Sequence, residues 1–254
     1  MLLTPRHRAQ LVTAAVVLAA AAASSAFAYT RTASLGTIPS DCSEAHPCRL
    51  HAGTYRLGSS AVLPSLELAV PGGWSSTEDS LGELKLVAPD HPDEILDIWL
   101  DMRAVKSSGR GHGNTVLGNV GKSPSALVAW LTSDRDFQIV SRPRTSSIGN
   151  GIRATTIAVG VSGTANYGDA GCPANPRCAD LFRNPLTWLP GDSFGIGGAE
   201  QARLYLAKIK SNGWIPHTLE ICLDAPDHSK LVSLTAIAKR VIATIRLPAG
   251  ITPG

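Results

Sequence analysis

Residues 203–223 read RLYLAKIKSNGWIPHTLEICL, two alternating arms around Ser211-Asn212-Gly213. Tyr205, Ala207 and Ile209 share one face of the first arm, and Leu219, Ile221 and Leu223 share one face of the second. Alternation with period two on both sides of an Asn-Gly pair marks a β-hairpin with one buried face. Antiparallel pairing is therefore expected to organise the fold.

Working outward, Leu231, Leu234, Ala238, Val241 and Ile245 recur at helical spacing and predict a helix over residues 229–245. Ser123-Pro124 is an N-cap followed by a residue preorganised for the first helical position, and it opens a helix carrying Leu127, Trp130 and Leu131 on one face. Residues 66–70, 84–87, 95–105 and 152–161 read as strands, with Asn150-Gly151 as a second hairpin turn. Residues 107–122 and 163–198 are rich in glycine or proline and read as irregular. Strands joined by tight turns, with helices set apart from them, give the α+β class: an antiparallel sheet flanked by helices.

The amino terminus speaks to compartment. Arg6 and Arg8 precede an apolar run from Leu11 to Ala23, and Ala26-Phe27-Ala28 supplies a small-x-small exit. This order predicts a secretory signal peptide over residues 1–28, with retention as a membrane anchor as the alternative. Residues 29–53 then read as a polar leader holding the first cysteine pair, and residues 54–254 as a single α+β domain. A secreted or cell-envelope, extracytoplasmic location follows. The formal net charge of +3 is too small for a nucleic-acid binder.

Export favours disulfides over metal thiolates. Cys42 and Cys48 share their x5 spacing with Cys172 and Cys178, and prolines 47, 173 and 176 bend the two loops. Two local bridges are expected, although five cysteines admit several pairings. The x5 spacing is wider than zinc sites use, so no metal or other cofactor is expected. Cys222, between Ile221 and Leu223, reads as a small buried hydrophobe.

Leu68-Ala69-Val70-Pro71-Gly72-Gly73-Trp74 resembles the strand, proline turn and packed tryptophan that open PsbP-like domains, among them small exported bacterial proteins of the LpqN type. The resemblance spans roughly residues 54–248. It implies an α/β/α sandwich and a role in binding or assembly. The long cysteine-bearing loop departs from that pattern.

Catalytic motifs are weak. Gly191-Asp192-Ser193-Phe194-Gly195 has the Gly-x-Ser-x-Gly spacing of a nucleophile elbow, but neither a buried strand before it nor a helix after it is expected. His217 and His228, with Asp224 or Asp227, would be its downstream partners. Gly121-Lys122-Ser123 lacks the earlier glycine of a phosphate loop. Asp90, Asp93, Glu94, Asp97 and Asp101 read as a solvated run at the start of a strand. Trp188, between Pro185 and Pro190, is a candidate binding anchor. The sequence therefore predicts an exported accessory or binding protein without catalytic activity, taking an envelope component, an apolar ligand or a partner protein. A secreted serine hydrolase using Ser193 is the alternative.

Overall fold

The 203–223 hairpin lies inside a much larger sheet. Asn212 and Gly213 take φ of 49° and 76°, the positive values that a tightly twisted hairpin turn demands. The computed structural model describes residues 35–39, 41–57, 63, 65–80, 83–107, 114–165, 177–186 and 193–254.

In chain order the first elements are β1 (Gly36–Thr37), β2 (Cys48–Arg49), β3 (Gly53–Arg56), β4 (Glu67–Val70), β5 (Ser75–Ser80), β6 (Glu83–Ala88), β7 (His91–Leu100), β8 (Arg103–Ser107) and β9 (Asn114–Val116). There follow α1 (Pro124–Ser133), β10 (Phe137–Ile148), β11 (Ile152–Val161), β12 (Cys178–Arg183), β13 (Ser193–Gly197), β14 (Gln201–Ser211), β15 (Ile215–Ala225), α2 (His228–Ile242) and β16 (Ile251–Pro253). The main sheet runs β10-β11-β14-β15-β7-β6-β5-β2. One edge of β14 serves two partners, β11 along residues 201–207 and β16 along residues 209–211. Smaller sheets run β1-β3-β4 and β13-β12-β8-β9.

Alternation along the main sheet sorts the core into two halves. Leu86, Leu96, Ile98, Ile221 and Leu223 face α2, joined by Leu68 and Trp74 from the β3–β4 side. Trp99, Ile157, Leu204 and Leu206 face the other way, against α1 and the β8–β12–β13 layer. Each such aliphatic side chain removed from water contributes about 1.5–3 kcal/mol. The first helix is capped by Ser123 as its sequence predicts, and the second is capped by Asp227, which the sequence reading did not single out as a cap. Ser123 Oγ accepts from the Ala126 N–H, and Asp227 carries out the same task for Lys230 in α2. The β10–β11 turn seals the far end of α2, where the Gly149 N–H donates to Ile242 O at 2.8 Å. A Cβ at Gly149 would stand 2.0 Å from Ile245 O, and its φ is 50°.

The expected α+β domain, a sheet flanked by helices, is not what the chain builds. Strands dominate, and only two helices occur among the described residues. The second face of the main sheet is covered largely by strands, and two of them, β12 and β13, lie in the stretch expected to be irregular. The reason is burial. Five consecutive residues of β12 are buried, so this strand shows no alternation, and Gly195 and Gly197 disguise β13. The predicted strand over residues 95–105 is likewise two strands, broken at Asp101, whose φ is 55°.

Candidate functional site

The register of β5, β6, β7 and β15 lines polar side chains up on the face opposite α2. One row crosses Glu78, Lys85, Asp97 and Cys222. The next holds Glu83, Trp99 and Glu220, and a third places Asp224 opposite Ile95. Glu78 reaches this face through a β-bulge at Thr77. Ser76 pairs with Leu86 and Glu78 with Lys85, so the strand changes phase between them.

Between these rows and Ser193, Phe194 and Gly195 of β13 lies a cleft of about 350 Å³, within the usual size range of small-ligand sites. Six acids line it: Glu44, Glu78, Glu83, Asp97, Glu200 and Asp224. Lys85 is the one cation among its described lining residues. Trp99 forms its floor and meets Phe194 with ring centroids 5.1 Å apart.

Asp97 is 1% exposed, and neither carboxylate oxygen has a hydrogen-bond partner among the described residues. Asp224 Oδ1 is in the same condition. A buried, unpartnered carboxylate is costly, and it responds by holding its proton more tightly. Burial, followed by repulsion from Glu83, raises the Asp97 carboxyl well above its ordinary range, with Lys85 pulling against it. Burial, followed by Glu200, pushes Asp224 up to about 7. Burial also works against the Lys85 charge, but Asp97, Glu44 and Glu83 outweigh it and hold the ammonium above its ordinary value. Lys85 Nζ donates to Glu44 Oε1 at 2.8 Å, and this bond in turn lowers the Glu44 carboxyl.

The acids are too dispersed for a metal's coordination shell. Among the described residues, three ligating side chains come within 4.8 Å of one another only at Asp41, Cys42 and Cys48. Those two cysteines are bonded to each other, with Cα atoms 5.3 Å apart.

That Cys42–Cys48 bridge is the first of the two local disulfides expected from the spacing. Cys178 is also disulfide-bonded, while Cys172 lies outside the described residues, as does Trp188. Cys222 is free and fully buried. Asp90 and Asp93 are exposed, as a solvated run requires, but Glu94 and Asp97 are not. Glu94 turns inward toward Lys230 Nζ at 3.5 Å and His91 Nδ1 at 3.6 Å. The solvated reading of these two acids fails because a second layer of strands covers Asp97 and α2 covers Glu94.

Ser193 lines the cleft, with its Oγ accepting from Asn114 Nδ2 at 2.5 Å. The histidines considered for it are engaged elsewhere. His228 Nδ1 meets Gln201 Oε1 at 3.1 Å. His217 belongs to a separate cluster, with Nδ1 2.9 Å from Asp101 Oδ2 and Nε2 3.0 Å from Ser211 Oγ. Asp101 Oδ1 also accepts from the Thr218 N–H at 2.9 Å, and Lys122 Nζ stands 3.7 Å from Oδ2.

No family model, curated protein or solved structure matches the chain. The residues that carried the PsbP-like resemblance form β4, a turn with Gly73 at φ 99° and the buried Trp74.

Proposed function

We propose that this is an exported binding protein of the cell envelope or its exterior, whose acidic cleft holds a cationic organic group such as a protonated amine or guanidinium. The observation that carries the reading is Asp97: a carboxylate buried in a cleft wall with both oxygens unpartnered among the described residues. A cationic ligand would supply the missing donors and the missing charge together. The dispersal of the six acids suits an extended organic cation better than a metal ion. Trp99 and Phe194 add aromatic surface of the kind that attracts cations. The sequence reading expected an envelope component, an apolar ligand or a partner protein. The polar cleft favours a cationic group, whichever of these carries it.

Export is supported by the basic head, apolar run and Ala-x-Ala exit of residues 1–28, and by the Cys42–Cys48 disulfide. Among the described residues no helix is long and apolar enough to cross a membrane.

The test is thermal unfolding of the full chain at pH 8 with spermidine, benzamidine, calcium or glucose. A ligand bound only by the folded state raises Tm with its concentration. Spermidine or benzamidine should raise Tm, and Asp97→Asn should abolish the rise. Equal Tm with and without both organic cations, or a rise that survives Asp97→Asn, would overturn the reading.

A further inference from the structure

We propose that Ser211, His217 and Asp101 form a nucleophilic site that cleaves esters of apolar acyl groups, at the end of the β14–β15 hairpin and apart from the acidic cleft. Ser211 and His217 lie six residues apart on one hairpin, and Asp101 comes from a distant part of the chain. Ser211 ends β14, His217 lies near the start of β15, and Asp101 occupies the corner between β7 and β8. The hydrogen bonds fix the direction of proton flow. An ionised aspartate only accepts, so His217 Nδ1 must donate to Asp101 Oδ2. That leaves the Nε2 lone pair facing Ser211 Oγ at 3.0 Å, where it accepts the hydroxyl proton.

Asp101 is itself held in place. It adopts a left-handed φ of 55°, and its second oxygen is tied to the Thr218 N–H. Strained backbone that orients a polar side chain is a recurrent property of functional sites. The cluster is also within reach of solvent: Ser211 is half-buried and the His217 side chain is 22% exposed. Trp214, three residues past the serine on the same turn, is 75% exposed and offers an apolar surface for an acyl chain.

In the reaction, Ser211 Oγ attacks the ester carbonyl carbon as its proton passes to His217 Nε2. The carbon–alkoxy bond then breaks, and the imidazolium returns the proton to the departing alcohol. Water, deprotonated by the same nitrogen, hydrolyses the acyl-serine and regenerates the hydroxyl. Asp101 is a positioning residue that keeps the imidazole in the reactive tautomer.

The full chain, with p-nitrophenyl butyrate as substrate and a biotinylated fluorophosphonate as label, tests this. We expect the label on the peptide holding Ser211, and ester turnover that falls at least about 100-fold in Ser211→Ala and in His217→Gln. Ser233→Ala, which alters an exposed serine of α2 outside both sites, should react like the parent. Label on Ser193, no label at all, or turnover that survives Ser211→Ala would overturn the proposal. Peptide mapping of the unmutated protein decides the matter even if a variant fails to fold.

Discussion

Asp97 and Asp224 sit one diagonal step apart on the same face of adjacent strands: Asp97 opposes Cys222 across the β7–β15 ladder, and Asp224 opposes Ile95. Diagonal neighbours of this kind are separated by roughly 7–8 Å. A buried and a half-buried acid at that distance, with Lys85 opposite one of them, form a site short of positive charge. The cation proposed for the cleft would supply that charge, and the crowding of the acids carries an electrostatic cost.

That cost has a pH dependence. Asp224 binds its proton more tightly in the folded state, with its pKa pushed up to about 7. Its stabilisation is therefore complete below pH ~4, shrinks as pH rises toward 7, and is absent above that. The lost amount is on the order of 4 kcal/mol. Urea unfolding at pH 4.5 and pH 8 should show the parent losing more stability between the two than Asp224→Asn does. Cation binding requires the ionised acids, so affinity for spermidine should rise over the same interval. A flat affinity would refute this account.

Lys85 competes for the same carboxylates as the ligand. Lys85→Gln should tighten spermidine binding about tenfold, equivalent to 1.4 kcal/mol, while lowering the stability of the unliganded protein. Isothermal titration at low salt measures the first effect and chemical denaturation the second. Weaker binding in the variant would mean that Lys85 contacts the ligand directly.

The Cys42–Cys48 bridge closes a short loop beside β2, the edge strand paired with β5. Short loops gain little from cross-linking, so Cys42→Ser should cost about 2 kcal/mol. Denaturation with and without dithiothreitol should show that this variant has lost part of the parent's sensitivity to reductant.

Gly149→Ala should be among the most damaging single-methyl additions. The new Cβ meets the Ile245 carbonyl, and the left-handed backbone at Gly149 disfavours any side chain. Conformational strain alone costs about 1–3 kcal/mol, and the β10–β11 turn must also lift from the end of α2. Gly151→Ala has open space around its Cβ and bears only the conformational part, so a comparison of the two Tm values isolates the clash.

Sequence patterns were legible wherever one face of an element is wet. The α1 face of Leu127 and Leu131 and the α2 stripe alternate between core and solvent, whereas the Tyr205–Ile209 and Leu219–Leu223 arms are largely buried on both faces and were legible from their Asn-Gly turn and from the polar Lys208 and Glu220 between apolar neighbours. β12 carries no such contrast, because the strand is covered on both sides. Asp97 misled for a related reason. It follows the exposed Asp90 and Asp93, and only the covering β12–β13 layer makes it an interior residue. For Ser211 and His217 a signal did exist. The hairpin register pairs Ser211 with Ile215 and Ile209 with His217, which makes the two residues diagonal neighbours. Their third partner needed the β15–β7 pairing, a contact across more than a hundred residues that no local pattern encodes.

The bulge at Thr77 splits β5 into two phases, one facing α2 and the other facing the cleft. Deleting that single residue would close the ladder with Ser76 still opposite Leu86 and Glu78 still opposite Lys85, so the acid keeps its side of the sheet. What the extra residue provides is a change of side: Ser76 and Glu78, two positions apart and normally on one face of a strand, point to opposite faces of the sheet, one toward α2 and one into the cleft.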